Sequence, residues 1–239
     1  SLVERDPRVR LIQGHGNVGF ARAANMGADA ARGRALVFLN PDAFLQPDCI
    51  RQLVLATEGQ PSPCIVGARV MNEDGSEQRG SRRGEVSPLT TVLSFSGLAT
   101  KMPGLARFEI HRESEPLPNG PISVPTISGA CFCASHADFD ILGGFDEGYF
   151  LHVEDIDLCW RARRMGGTVM FHPKAEVVHL GSTSLTHPLK VEFWKGIGLS
   201  RYFRKRADNP WRRFSAYLLS PVILLISVLR PALRRAKGS

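Results

Sequence analysis

RALVFLN, residues 34–40, is the stretch that most narrows what this chain can become. It is a continuous apolar run that stops at Pro41, and a second run, CIVGARVM (64–71), follows a segment with helical spacing. Short apolar runs of this kind suit strands covered on both faces of a parallel sheet. Upstream, RVRLIQ (8–13) reads as a further strand. Residues 19–31 read as a helix whose small-residue face holds Phe20, Ala23, Ala24 and Ala28, with Gly33 as its stop. Pro47 opens a second helix running to about Thr57, and NEDG (72–75) is a turn. The strand–helix–strand–helix–strand order predicts an α/β fold with a mostly parallel central sheet flanked by helices.

The second half is less regular. Residues 76–122 are rich in Gly, Pro, Ser and Arg with weak periodicity, which reads as a long functional or mobile loop. ISVPTISGACFCAS (122–135) returns to strand character. EDIDLCWRARRMGG (154–167) reads as a helix, with acids in its first turn, arginines in its last and glycines just past its end. Residues 168–171 and 175–180 read as two short strands.

Charge is unevenly spread along the 239 residues. The net charge is +7, yet residues 199–239 hold ten Lys/Arg against Asp208 alone, so the rest of the chain is slightly acidic. This pattern argues for a basic tail rather than a nucleic-acid-binding body. Within the tail, FSAYLLSPVILLISVL (214–229) is 16 residues long, short of the ~20 that span a bilayer. Arg204, Lys205, Arg206, Arg212 and Arg213 precede it, and Arg230, Arg234, Arg235 and Lys237 follow it. That pattern predicts an interfacial segment drawn to anionic lipid. The division expected is a body of residues 1–198 and a membrane-associated tail of 199–239. The five cysteines (49, 64, 131, 133, 159) form no C-x-x-C pair, so reduced thiols packed in a core are expected.

Candidate chemistry gathers at three places. Asn40-Pro41-Asp42 ends a strand, where open α/β sheets bind ligands, and Asp42 can offer hard oxygen to Mg²⁺ or Mn²⁺. Glu154, Asp155 and Asp157 open a helix. Asp155 and Asp157, two apart, cannot share a face; close carboxylates raise one another's proton affinity, which suits a general base, while the helix dipole pushes the other way and leaves the sign of the net shift open. His179 closes the strand AEVVHL and can add an imidazole to a metal set begun by Asp42. A fourth feature, GHGNVGF (14–20), has the spacing G-x-G-x-x-G of a dinucleotide turn.

Six stretches, NVGFARAANMG, LVFLNPDA, VGARVMNEDGSEQRGSRR, SGACF, GGFDEGYFLHVEDIDLCWRARRMGG and HPKAEVVHLGSTS, taken in order, make the chain resemble the family 2 glycosyltransferases, in particular their rhamnosyltransferase-like branch. The resemblance implies a GT-A fold and inverting transfer from a nucleotide-diphosphate sugar, with rhamnose among the sugars it points to. The acceptor it implies is a glycan or a lipid-linked sugar of the cell envelope, and the implied setting is the cytoplasmic face of the plasma membrane. Carried onto this chain, Asn40-Pro41-Asp42 matches the D-x-D metal motif with Asn in the first place, and Asp155 matches the base that deprotonates the acceptor. His179 matches the histidine that completes the metal site, and Asn17, Gly19 and Asn25 match the segment beside the nucleotide. Trp160 and Arg161 match the end of the E-D-x-D-x-x-W-R pattern, where packing and a salt bridge are the expected roles. The family's first strand–helix–strand unit, roughly 30 residues, has no room before Asn17. The chain therefore reads as cut from something longer, with a weakened donor pocket, low activity and poor solubility expected.

Two rival readings stand beside this one. A Rossmann oxidoreductase would use the glycine turn, with Asp42 lying 23 residues after Gly19, near the ~20 expected of a ribose-binding acid. A non-catalytic membrane scaffold would use only the tail.

Overall fold

A computed structural model describes residues 6–181 and 187–235. Residues 182–184, the end of the last matching stretch, and Lys237 lie outside the described residues, as do the side chains of Arg230, Arg234 and Arg235.

The central sheet has the strand order β1-β7-β3-β8-β2, with β5 also paired to β8. Its strands are β1 (Ala35–Leu39), β2 (Ala43–Leu45), β3 (Cys64–Met71), β5 (Ile122–Ser123), β7 (Cys131–Ser135) and β8 (Thr168–His179). The long strands β3 and β8 pair in parallel. β7 is antiparallel to both β1 and β3, which gives β1 the same direction as β3 and β8. β2 and β5 run against β8. The sheet is thus mixed, with its three main strands sharing one direction.

Helices cover both faces. α1 (Phe20–Ala30), α5 (His136–Ile141) and α6 (Glu154–Arg164) bury Ala21, Phe139, Leu158 and Ala162 against Leu36, Ile65, Phe132 and Phe171. On the opposite face α2 (Cys49–Thr57) buries Cys49 and Leu53 against Val66, Val70, Cys131, Cys133 and Val177. Ile65 and Val66 face opposite layers, as do Phe132 and its cysteine neighbours, which is the two-residue period of a strand. All five cysteines are buried and free, and burial pushes the Cys64 thiol up to about 12 and Cys133 up to about 11.

Several expectations need correction. Residues 8–13 form no strand, and Val9 and Leu11 are nearly half exposed. Alternation alone cannot supply the hydrogen-bonded neighbour a strand requires. β1 is an edge strand of the described sheet; Leu36 and Phe38 pack on one core and Ala35 and Val37 on the other, but only Leu36 is fully buried, so its cover on the two faces is partial. The two expected strands at 168–180 are one strand, β8. Its register against β3 jumps from His172 to Glu176, and the residues skipped include Pro173, which has no N–H to give the ladder.

The segment 76–122 is ordered rather than a bare loop. It holds β4 (Arg82–Arg83), α3 (Pro88–Phe95), α4 (Leu98–Lys101) and a 3₁₀ turn at Pro103–Phe108. β4 pairs with β6 (Thr126–Ile127) as a two-stranded ribbon. α3 starts with a capping box, in which Ser87 and Thr90 exchange side-chain and backbone hydrogen bonds.

The boundary expected at 198/199 falls inside a continuous helix, α7 (Pro188–Arg206). Leu199, Tyr202 and Phe203 are buried with Tyr149, Val153 and Ile156, so this helix belongs to the body. α8 (Pro210–Arg235) packs along α7 and α3 through Ala216 and Ile223. Its segment Pro210–Leu229, 20 residues of mean hydropathy 1.5, is long and apolar enough to cross a membrane by length and composition. The helix begins before the apolar run proper, which is why it exceeds the 16 residues counted from Phe214.

Candidate active site

The glycine-rich turn does not form a phosphate cradle. Asn17 Oδ1 accepts the Gly19 N–H (3.2 Å), and Phe20 N–H, at the start of α1, donates to the Phe150 carbonyl (3.0 Å). The helix N-terminus is thus spent on the protein's own backbone. Gly19 has φ 83°, and a Cβ there would lie 2.5 Å from the Phe150 oxygen, so only glycine fits. With no strand before it and no free first-turn amide at Phe20, the turn loses the features a Rossmann site needs. Asn25 is equally committed. Its Oδ1 accepts the Phe145 N–H (2.8 Å) and its Nδ2 donates to the Phe145 carbonyl (3.0 Å) and Glu147 (3.2 Å), so it clamps α1 to the loop before α6. Asn17, Gly19 and Asn25 do not line the cleft described next.

That cleft is a cavity of about 220 Å³ whose lining includes Asn40, Ser128, Gly129, Glu154, Asp155 and His179. Val86, Phe95, Ile110 and Leu199 supply apolar wall. The register that pairs Ala43 with His179 sets Asp42 beside the end of β8. His179 Nε2 lies 3.1 Å from Asp42 Oδ1 and 3.2 Å from Asn40 Nδ2. The far side of the ring is held by Gln78. Its Nε2 donates to the His179 carbonyl (3.0 Å) and Asn72 Oδ1 (3.2 Å), which turns its Oε1 toward Nδ1 (2.8 Å). Gln78 Oε1 thus accepts from Nδ1–H, and in the neutral ring Nε2 then carries the lone pair. A lone pair facing a carboxylate oxygen at 3.1 Å is an arrangement that a cation satisfies. No group of three or more His, Cys, Asp or Glu that could hold a metal occurs among the described residues. Asp42 and His179 could supply at most two protein ligands to a divalent ion, the others being phosphate oxygens and water.

Asp155 stands in the first turn of α6. Its Oδ1 accepts the Ile156 N–H (2.8 Å), and its Oδ2 accepts the Gly129 N–H (3.1 Å) and a hydrogen bond from Arg83 Nη2. Burial pushes this carboxyl up, and the Arg83 charge with these hydrogen bonds outweighs it, so Asp155 lies below the usual carboxylate range. Glu154 moves the other way. Burial and the neighbouring Asp155 charge raise it, and its Oε2 has no hydrogen-bond partner. Asp157 has no part in the cleft. It is fully buried and accepts from Arg161 Nε (2.7 Å) and Lys205 Nζ (2.8 Å), tying α6 to α7. Trp160 packs edge-on to Tyr202, and Arg161 also donates to the Gly144 carbonyl (2.8 Å), which are the structural roles expected of them.

The turn into α6 is strained. His152 and Val153 have φ of 65° and 76°, and a β-branched residue rarely adopts such a conformation. His152 is half-buried in the cleft wall, and desolvation there, reinforced by Lys195, lowers its pKa to about 4. Arg83, Gln78 and His152 were not singled out from sequence. The first two sit in the Gly/Ser/Arg-rich segment, where a charged or amide side chain looks solvated.

Residues 1–137 match the profile of Glycosyl transferase family 2. The chain is similar to the N-acetylglucosaminyl-diphospho-decaprenol L-rhamnosyltransferase of Mycobacterium tuberculosis, 28% identical over 205 residues that cover 75% of this chain and 61% of that protein. It is also similar to the low-salt glycan biosynthesis hexosyltransferase Agl10 of Haloferax volcanii, 27% identical over 160 residues, 65% of this chain and 47% of that one. The chain thus spans about half to three fifths of the length of these relatives. Among solved structures it resembles GalNAc-T7 with UDP, GalNAc and Mn²⁺, with a TM-score of 0.53 at 18% identity, over 86% of this chain and 42% of that chain. It resembles too the mannosyltransferase PcManGT from Pyrobaculum calidifontis in complex with GDP-Man and Mn²⁺, with a TM-score of 0.50 at 16% identity, over 97% of this chain and 59% of that chain. At such identities the likeness concerns the fold, which is the GT-A fold. With a family profile matched over more than half its length, this chain belongs to glycosyl transferase family 2.

Proposed function

We propose that this chain transfers a sugar from a nucleotide-diphosphate donor to a hydroxyl of a glycan or lipid-linked acceptor in cell-envelope polysaccharide synthesis. The observation that carries the reading is the convergence of Asp155, Asn40 and His179 on one cavity, with Asp42 held against His179. Asp155, kept ionised, takes the proton of the acceptor hydroxyl. The freed oxygen attacks the anomeric carbon from the face opposite the diphosphate, and the bond to the diphosphate breaks with inversion. A base of this kind contributes roughly 10²–10⁴-fold. Mg²⁺ or Mn²⁺ held by Asp42 and His179 would neutralise charge gathering on the departing diphosphate. The names of the relatives support a hexosyl or rhamnosyl donor and a lipid-linked acceptor.

The membrane fits the same reading. Phe214, Tyr217, Leu218, Val222, Leu225 and Leu229 recur at helical spacing along α8, and all are exposed, as is Trp211 at 80%. Arg212 and Arg213 sit at the start of this stripe. We place α8 in the interface of an anionic bilayer at the cytoplasmic face, apolar stripe inward. Flotation with anionic against zwitterionic vesicles tests this, with loss in a Trp211→Ser, Phe214→Ser, Leu218→Ser variant expected.

The transfer reading is tested by incubating the protein with UDP-, GDP- and dTDP-sugars and measuring nucleotide release with and without EDTA. Asp155→Asn is expected to lose turnover while still binding UDP, GDP or dTDP. Unchanged turnover in that variant removes Asp155 as the base, and full activity in chelator removes the metal.

A further inference from the structure

Arg83 is one of the two residues of β4, and its neighbour is anchored. Arg82, only 2% exposed, pairs with Glu77 (2.9 Å) and lies over the Phe171 ring at 5.1 Å. Adjacent strand residues point to opposite faces, so anchoring Arg82 aims Arg83 the other way, into the cleft wall. There its Nη2 donates to the Ile127 carbonyl (2.6 Å) and to Asp155 Oδ2. Both side chains of the pair are largely buried, 14% and 12% exposed.

A carboxylate offers about four lone-pair sites. On Oδ2 of Asp155, Gly129 N–H and Arg83 fill two. On Oδ1, Ile156 N–H fills one. One site remains, and it is on Oδ1. We propose that Arg83 is the positioning residue of Asp155: by occupying Oδ2 it fixes the rotation of the carboxylate and leaves Oδ1 as the atom that receives the acceptor proton. The inference rests on the transfer reading above. In the step, the acceptor O–H proton passes to Oδ1 and the acceptor oxygen bonds the anomeric carbon. The electron pair of the broken carbon–oxygen bond leaves on the diphosphate. A nearby cation weakens Asp155 as a base, because it favours the charged form. The compensating gain is geometric, since misplacement of a reacting group by an ångström can cost about 10²-fold.

The test compares wild type with R83Q and R83K, using the nucleotide sugar that the wild type turns over fastest among UDP-, GDP- and dTDP-sugars. Independently of turnover, the Asp155 carboxyl is titrated by ¹³C NMR in protein labelled at aspartate carboxyls, with D155N assigning the peak. The expected result for R83Q is a kcat lower by about 10–100-fold, a donor KM within about twofold, and both the acid limb and the NMR titration moved to higher pH. R83K, which restores the charge without the planar fork, is expected to return the titration toward wild type while kcat stays low. If R83Q does not fold, R83K carries the test through its kcat and donor KM alone. A kcat for R83Q within twofold of wild type, a defect confined to donor KM, or an unmoved carboxyl titration overturns the proposal. If wild type releases nucleotide from no donor, the transfer reading falls. The NMR titration then decides the pairing by itself: a moved titration keeps Arg83 as the group that sets the Asp155 carboxylate, and an unmoved one overturns the proposal separately.

Discussion

Gly198, inside α7, lies against Val153, the residue that turns the chain into α6. A side chain at 198 would begin 3.0 Å from Val153 Cγ2 and 3.2 Å from the His152 carbonyl oxygen. The strained pair His152–Val153 is thus held down by a helix from far along the chain. Strain of this kind persists where the surroundings over-determine it, and here it ends two residues before Asp155.

Gly198→Val is expected to disturb the site more than the fold. Overpacking of a core contact costs about 1–3 kcal/mol, which lowers the melting temperature by several degrees. Turnover measured well below that temperature should fall by a further factor of about ten or more, because α6 and its carboxylates shift. A chain ending at residue 198 is expected to show no cooperative melting by calorimetry. It loses Leu199, Tyr202 and Phe203 from the core, at about 2–5 kcal/mol each against a total of about 5–15. Wild-type turnover in Gly198→Val would show that α7 does not aim Asp155.

Asn25→Ala is expected to weaken folding and leave nucleotide affinity alone. The side chain satisfies both backbone groups of Phe145, and leaving such groups unpaired costs about 1–3 kcal/mol each. Urea denaturation reads the first effect and titration with UDP, GDP and dTDP the second. A variant of normal stability with weakened nucleotide binding would restore the sequence reading of Asn25.

Legibility in the sequence followed periodicity. β3 and α6 were readable because an eight-residue apolar strand and an eleven-residue helix with acids first and arginines last carry clear local signals. Asp42, Asp155 and His179 were readable as candidates because they end or begin such elements. Arg83 was not, since a two-residue strand has no period and an arginine among Gly and Ser looks solvated. RVRLIQ misled in the opposite sense, because Val9 and Leu11 alternate correctly and no ladder forms. The place of α7 was hidden by Gly196 and Gly198. Both lower helix propensity, and the close approaches to Leu224 and Val153 that require them are visible only in three dimensions.

His152 makes stability depend on pH. Its pKa is lowered from 6.5 to about 4, chiefly by burial. Between these values the unfolded chain binds the proton and the folded one does not. The His152 contribution to stability therefore rises with pH across this window and is lost as pH falls from about 6.5 toward 4, by up to about 3 kcal/mol, while Glu154, raised to about 8 by burial, contributes with the opposite sign above about 4.5. Above 6.5 both states are neutral and this contribution is flat. His152→Asn is expected to remove that slope in urea titrations at pH 7, 5.5 and 4.5. An identical slope in the variant would assign the pH dependence to other groups.

The pairing of His179 with Asp42 is expected to respond to manganese without any donor present. Gln78 holds Nδ1–H, so the neutral ring turns its Nε2 lone pair toward the carboxylate, and the pair should take up Mn²⁺ weakly, and more tightly once UDP or GDP adds phosphate oxygens. Electron paramagnetic resonance of free Mn²⁺ measures this directly. His179→Ala and Asp42→Asn should each weaken uptake by about tenfold or more. Gln78→Ala, which frees the ring to rotate and change tautomer, should weaken it within the 10–100-fold range typical of residues that orient a metal ligand. Equal Mn²⁺ uptake by wild type and His179→Ala, with nucleoside diphosphate present, would show that β8 closes on Asp42 for structural reasons alone.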